Sequence, residues 1–283
     1  MIIGLIYDLL RHEERMLIEA IRKRGHDLKL SFVPEKIDYL DSNSMRDEEI
    51  DFAFQRCVSH YRALATSAIL ESKGVRVVNS YDTIRDSGDK LVTTAKLIRS
   101  GLKTPKTAVV YSRSGALLAA RELGYPVVVK PIQGSWGRMI ARARSEDDLL
   151  DIMDFREAMG SPQFKIHYIQ QFVDKPDRDI RAFYVWGEVP VSIYRISQRW
   201  KTNTALGGKA APANLTEEQV DLVIRASEAL GGGVLGIDLL ETREGETLVG
   251  EVNGVIEFRN TVQVTGYDLA GKIVDETVRV MRR

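Results

Sequence analysis

Cysteine is almost absent from this sequence. One residue, Cys57, in a chain of 283 excludes an internal disulfide and any cysteine-built zinc cluster, and it fits a reducing compartment. An excess of one charge sign is also missing: 40 Lys and Arg stand against 40 Asp and Glu. A general nucleic-acid binder carries a basic excess, so only a local basic patch remains open. No apolar run approaches the length of a membrane span. The first eight residues lack both the basic stretch and the small-residue cleavage site of a secretion signal. Neither a Gly-x-Ser-x-Gly elbow nor a Walker A sequence occurs. His12, His26, His60 and His167 show no metal-like spacing, and Cys57, following an apolar strand, reads as core rather than nucleophile. What these absences leave is a soluble, cytoplasmic protein. Its length exceeds one small core and predicts two or three lobes. With 44% hydrophobic and 28% charged residues, wholesale disorder is excluded.

The pattern that is present starts with alternating strand and helix. Short β-branched or apolar runs at 2–7, 28–33, 52–57 and 75–78 read as strands. Helical stripes lie at 13–24, ended by Gly25, and at 60–73, ended by Gly74. This predicts a parallel, Rossmann-like layer over residues 1–84. Its first strand-to-helix turn, Tyr7-Asp8-Leu9-Leu10-Arg11, lacks the glycines that a dinucleotide pyrophosphate needs against the backbone, so no NAD site is expected. A second lobe is predicted over 85–172. It contains a helix capped by Asp86 or Ser87 and running to about residue 100, another over 114–123, a strand ending in Lys130, a return strand over 139–144, a helix from 146 and a strand over 167–173. A third, over 173–283, holds hairpins at 180–196 and 234–252, the latter across Arg243-Glu244-Gly245. Between them lies a helix capped by Thr216 with Gln219 completing a capping box, and a terminal helix spans 270–281.

Four features carry chemistry. Lys130 closes a Val-Val-Val strand just before the loop Gly134-Ser135-Trp136-Gly137, and Lys90 follows Gly88-Asp89. Two ammonium groups and exposed N–H groups suit a polyphosphate; the alternative is an ordinary loop with two surface lysines. Asp238 lies on one strand of the last hairpin, and Glu251 and Asn253 share a face of the other. Two carboxylates and an amide oxygen are hard ligands suited to magnesium, with solvent-facing polar residues as the alternative. Gln170-Gln171-Phe172-Val173 ends a strand where backbone groups can meet an adenine edge, or is simply a strand. Arg181, Arg195, Arg199, Lys201, Lys209 and Arg259 cluster in the second half beside Asn203, Asn253 and Asn260, and arginine forks match carboxylate and phosphate geometry.

Taken in this order, the residues resemble the ATP-grasp superfamily of carboxylate–amine ligases over nearly the whole chain. Asp179-Ile180-Arg181 and Tyr194-Arg195 resemble the branch of the ribosomal S6 glutamate-adding enzyme. The run from Lys201 through Asn203 to Gly208, and that from Glu251 to Asn260, are similar to the LysX/ArgX ligases, which act on the amino-group carrier protein LysW. Cys57-Val58-Ser59 and Gly134 to Arg138 agree. The resemblance implies an α/β and α+β fold: a pre-ATP-grasp parallel sheet beside central and C-terminal lobes that enclose ATP. It implies magnesium held by Asp238, Glu251 and Asn253, and phosphates neutralised by Lys90 and Lys130. Arg195 would meet the transferring phosphoryl group, with Asn203 beside it. Adenine would lie on 170–173, with Asp179 and Arg181 also at the nucleotide. The hinge has Gln171 where many relatives carry an acid, so Asp177 or Asp179 would have to reach the ribose. Arg259, Asn260 and Thr261 would bind the free amino acid, and Arg199, Lys201 and Lys209 the acidic tail of LysW. The family also implies a homo-oligomer.

The function this implies is ATP-dependent isopeptide formation between the LysW terminal glutamate and glutamate, as in arginine biosynthesis. The nearest alternative is α-aminoadipate, as in lysine biosynthesis. One methylene separates the two, worth about 1–3 kcal/mol in a pocket, and Tyr267 is expected to shorten the site toward glutamate. Glutamate addition to a ribosomal protein or peptide, and a nucleotide-sensing module without turnover, are the remaining alternatives.

Overall fold

The computed structural model describes residues 1–40, 50–134, 137–202 and 207–283. Its first layer is a parallel sheet. β1 (Ile2–Tyr7), α1 (His12–Lys23), β2 (Asp27–Phe32), β3 (Phe52–Gln55), α2 (His60–Ser72) and β4 (Arg76–Val78) succeed one another along the chain, with strand order β2-β1-β3-β4. Every residue of β3 is buried, as expected for an inner parallel strand covered on both faces. The chain runs outward from β1 to β2 and, in the other direction, from β3 to β4. The point where direction reverses therefore lies between the C-terminal ends of β1 and β3, where open α/β sheets form a crevice.

Two helices lead out of this layer. α3 (Tyr81–Ser87) is capped by Ser80, and α4 (Lys90–Arg99) by Asp89, whose Oδ1 accepts from the N–H groups of Leu91 (2.9 Å) and Val92 (3.1 Å). The cap expected at Asp86 or Ser87 is thus displaced. Both residues belong to α3, and the buried Asp86 is held by Lys96 and Arg85. Gly88 separates the two helices, and Asp89 supplies a carboxylate where the four orphan N–H groups of α4 begin.

The central lobe contains β5 (Thr107–Val110), α5 (Arg113–Leu123), β6 (Val127–Lys130), β7 (Ala141–Ala143), α6 (Glu146–Ala158) and β8 (His167–Gln171), in an antiparallel sheet ordered β5-β8-β6-β7. The last lobe holds β9 (Arg178–Val185), β10 (Glu188–Ile196), β11 (Lys209–Pro212), α7 (Glu217–Ala229), β12 (Val234–Glu241), β13 (Thr247–Asn253), α8 (Arg259–Thr265) and α9 (Leu269–Met281), with strand order β11-β10-β9-β12-β13. The capping box of Thr216 and Gln219 is formed. β5, β11 and α8 were not evident in the sequence: two are four-residue strands, and α8 is a seven-residue helix rich in β-branched side chains, too short to show a period.

α9 returns to the beginning of the chain. Leu269, Ile273, Val274, Val278 and Met281 join Ile3, Leu5, Leu17 and Ile21 in one core. At about 1.5–3 kcal/mol for each fully buried side chain, this helix ties the last lobe to the first layer. No helix among the described residues is long and apolar enough to cross a membrane.

Candidate active site

One row of residues crosses four strands of the C-terminal sheet. Ile193 on β10 pairs with Arg181 on β9, Arg181 with Asp238 on β12, and Asp238 with Glu251 on β13. Nearby, Arg195 faces Asp179, and Gly236 faces Asn253. Strand alternation puts these side chains on one face. That face forms the floor of a cavity of about 540 Å³, whose walls include Lys90, Gly134, Arg195, Asp238, Glu251 and Asn253. Arg259, Asn260 and Thr261 close one side.

The floor is a dense ionic network. Asp238 is 6% exposed. Its Oδ2 lies 2.9 Å from Arg195 Nη2 and 3.1 Å from Arg181 Nη2, and Arg181 Nε bonds Oδ1. Burial works to raise the Asp238 carboxyl, but Arg181 and Arg195 overcome it and hold the group below the ordinary carboxylate value. Burial likewise opposes the charge of Arg195, yet Asp238 and Asp179 raise its pKa above the usual arginine value. Asp179 accepts from Arg195 Nε at 2.7 Å and from the Thr202 hydroxyl. It is 5% exposed, so it serves as a buttress for Arg195; the ribose contact expected of it is not an open surface here.

Two lysines lie near Glu251: Lys90, which lines the cavity, and Lys130, which does not line it but shares a small adjoining recess with Lys90 and Glu251. Lys90 Nζ lies 2.6 Å from the carbonyl of Gly134 and 3.3 Å from Glu251 Oε1. Lys130 Nζ donates to Gln170 Oε1 at 2.6 Å. Burial, partly offset by Glu251, pushes the Lys130 ammonium down to about 8. The Gln170 amide in turn donates to Thr107 and Tyr168, so this side chain orients Lys130 within the sheet. The N–H groups of Gln171 and Phe172 already bond the carbonyls of Lys106 and Pro126. Those two N–H groups are therefore not open to an adenine edge.

Asp238, Glu251 and Asn253 do converge. Among the described residues no three His, Cys, Asp or Glu side chains form a metal-binding group; the third donor of this trio is an amide. Asn253 Nδ2 donates to Gly236 O at 3.3 Å, which leaves its amide oxygen as the available donor. Two carboxylates and that oxygen fit magnesium, although Asp238 shares its charge with two guanidinium groups.

The basic cluster divides. Lys201 turns into the glycine loop, donating to the carbonyls of Ile140 (2.6 Å) and Gly137 (3.1 Å), and so is not a free cation at the surface. Arg199 and Lys209 are exposed and are not part of the cavity wall. Ser135, Trp136 and Asn203 lie outside the described residues. Tyr267 packs against the core around α1 and α9 rather than lining the cavity. Sequence reasoning missed the contribution of the first layer: Arg11, His12, Glu13 and His60 all line the cavity. The signal was the reversal point between β1 and β3, which a missing glycine fingerprint does not rule out as a wall of the cleft.

Comparison with known proteins agrees with this architecture. Residues 3–85 match the LysX preATP-grasp domain and residues 87–277 the RimK-like ATP-grasp domain. The chain is 43% identical over 278 residues, 97% of each chain, to the alpha-aminoadipate–LysW ligase LysX of Sulfurisphaera tokodaii. It is 33% identical over 274 residues, 96% of each, to the glutamate–LysW ligase ArgX of Sulfolobus acidocaldarius. A RimK domain ATP-grasp protein from Sphaerobacter thermophilus superposes with a TM-score of 0.80 at 25% identity, covering 98% of this chain and all of that one. The fold and cleft are those of ATP-dependent carboxylate–amine ligases. Within that class, the chain belongs to the ATP-grasp ligases of the LysX/ArgX type.

Proposed function

We propose that this enzyme joins the side-chain carboxylate of the terminal glutamate of a LysW-type carrier to the amino group of α-aminoadipate. The observation that carries the reading is the meeting of Lys90, Arg195 and the Asp238–Glu251 pair in one cavity that also holds Arg259, Asn260 and Thr261. A carboxylate and a triphosphate repel each other, so cations must hold them together before they react. Lys90 and Lys130 neutralise nucleotide phosphates, and Arg195 meets the γ-phosphoryl group. Asp238, Glu251 and Asn253 would hold magnesium, which when bound neutralises charge on the β- and γ-phosphates.

The carrier carboxylate oxygen attacks the γ-phosphorus, the bond to the β-phosphate oxygen breaks, and ADP leaves. The amino group first gives one ammonium proton to solvent; its nitrogen then attacks the acyl carbon, the carbon–oxygen bond to phosphate breaks, and the second proton leaves the nitrogen with the departing phosphate. No enzyme nucleophile is required. Lys201 holds the carbonyls of Gly137 and Ile140 and so anchors the chain just after Trp136, where closure over bound nucleotide would protect the acyl phosphate from water.

Two observations favour α-aminoadipate over glutamate. The relative named for α-aminoadipate is more similar, at 43% against 33%. The reason for expecting glutamate was the bulk of Tyr267, and that half-buried residue packs against the core rather than lining the cavity. The test is ADP release with α-aminoadipate or glutamate, each with and without LysW. Turnover that requires LysW and prefers α-aminoadipate supports the proposal. A preference for glutamate moves the enzyme to the other branch, and ATP binding without turnover for either removes the ligase reading.

A further inference from the structure

Helix α8 begins without a cap of its own. Its N-cap residue is Phe258, which has no side-chain acceptor, and a helix N-terminus leaves four N–H groups to be satisfied from elsewhere. The acceptor comes from the other end of the chain. Glu13 Oε1 accepts from the N–H of Phe258 at 3.1 Å and from that of Arg259 at 2.9 Å. Glu13 is only 5% exposed, and a buried carboxylate facing two N–H groups at a helix start is a charge-assisted cap.

The same stretch is gripped at two further points. Arg56 Nη2 donates to the carbonyl of Ile256 at 2.7 Å, and Arg11 Nη1 to Glu257 Oε1 at 3.1 Å. Both arginines are fixed by Glu14, which is fully buried and accepts from Arg56 Nε at 3.0 Å and Arg11 Nη2 at 2.8 Å. The first layer therefore holds residues 256–259 from three side chains. Directly beyond this grip, the first turn of α8 carries Arg259, Asn260 and Thr261 into the cavity wall. Within that turn, the Thr261 hydroxyl is buried and has no hydrogen-bond partner, and a buried polar group is ordinarily paired. The turn thus contains an unspent polar group and places Arg259 and Asn260 in the same stretch of cavity wall. Glu13 decides where that turn sits.

We propose that Glu13 is the positioning residue of the amino-acid site: by capping α8 across the domain boundary, it sets the placement of Arg259, Asn260 and Thr261 and hence affinity for the free amino acid rather than for ATP. The inference rests on the reading that this turn receives the amino acid. The first layer, which has no nucleotide fingerprint, then acts as a built-in part of the second-substrate site.

The experiment is steady-state kinetics of the full-length enzyme with LysW, varying the amino acid and ATP separately. Glu13→Ala is expected to raise KM for the amino acid about tenfold or more, while kcat and KM for ATP stay within about threefold. Glu13→Gln keeps an acceptor oxygen and is expected to restore the amino-acid KM to within about threefold of wild type. In an Arg259→Ala background, Glu13→Ala should raise that KM by a smaller factor than it does alone, because part of its effect passes through the Arg259 side chain. Where the alanine variant does not fold, Glu13→Asp, one methylene too short to reach both N–H groups, carries the same expectation. An unchanged amino-acid KM in Glu13→Ala or Glu13→Asp, an equal rise in KM for ATP, or a Gln variant as impaired as Ala overturns the inference. A wild-type enzyme that releases no ADP with any amino acid and LysW overturns instead the ligase reading beneath it.

Discussion

Arg195 Nη2 lies 2.9 Å from Asp238 Oδ2, and Arg181 grips the same carboxylate from the neighbouring strand. The acid expected to hold a cation is therefore also the counter-ion of two guanidinium groups. Removing it leaves buried Arg195 with Asp179 alone and takes from Arg181 the carboxylate it grips. Breaking a buried pair from one side costs about 3–5 kcal/mol, so Asp238→Ala should lose stability in that range in urea denaturation without nucleotide. Arg195→Met combined with Asp238→Leu should cost less than the sum of the two single changes. A loss below about 1 kcal/mol for Asp238→Ala would show that the pair has no structural role.

Lys130 gives a pH signature. Burial, set against Glu251, brings its ammonium from 10.5 down to about 8. Between those values the unfolded chain keeps a proton that the folded chain has released, so this lysine makes stability rise as pH climbs through the window. Phosphates beside the ammonium favour its charged form, so ATP binding should take up a proton above about pH 8. Calorimetry at about pH 8.5 in two buffers of different ionisation enthalpy reads that uptake directly. In Lys130→Met the uptake should vanish and ATP affinity fall about tenfold or more. Equal heats in both buffers for the wild type would place the phosphates away from Lys130.

Gly88 joins the first layer to the cleft. A Cβ built there would lie 2.1 Å from His60 Cε1 and 2.9 Å from the carbonyl of Ile84. Asp89 and Lys90 come immediately after it, so any shift displaces the Lys90 ammonium. Gly88→Ala is expected to destabilise by about 1–3 kcal/mol, the usual range for overpacking, and to raise KM for ATP. Because the nearer clash is with a side chain, His60→Ala should recover part of that loss. Additive effects of the two substitutions would show that the backbone contact with Ile84 dominates.

Local signals in the sequence survived into the structure where the interaction was also local. The capping box of Thr216 and Gln219 and the hairpin carrying Asp238, Glu251 and Asn253 depend on neighbours within a few residues or across one turn. The partners of Asp238 did not show. β9 and β12 are adjacent in the sheet, but β10, β11 and α7 lie between them in sequence, and only that pairing brings Arg181 to the acid. The acceptors of Lys201 were hidden for a similar reason. Nothing near it in sequence reveals that the carbonyls of Gly137 and Ile140 will be its acceptors. Glu13 reaches α8 across 245 positions, a distance at which composition and periodicity carry no information. What the sequence displays is the chemistry of each segment; which segments meet is settled by sheet order and by the return of α9 to the first layer.

Glu251 offers the most direct check on the metal set. Its carboxylate lies 3.3 Å from Lys90 Nζ, and the residue stands directly opposite Asp238 in the strand register. Glu251→Gln preserves volume and one acceptor oxygen but removes a charge. Lys90 and Lys130 remain to bind phosphates, so ATP binding should persist within about tenfold. A weakened hard-oxygen set for magnesium should lower kcat by about a hundredfold or more and move the magnesium requirement to higher concentration. A magnesium titration of ADP release at saturating ATP and LysW separates this from a general loss of fold, because a misfolded variant loses rate without shifting the midpoint. Turnover near the wild-type level at low magnesium would take Glu251 out of the metal set and leave Asp238 and Asn253 to bind the ion with water completing its shell.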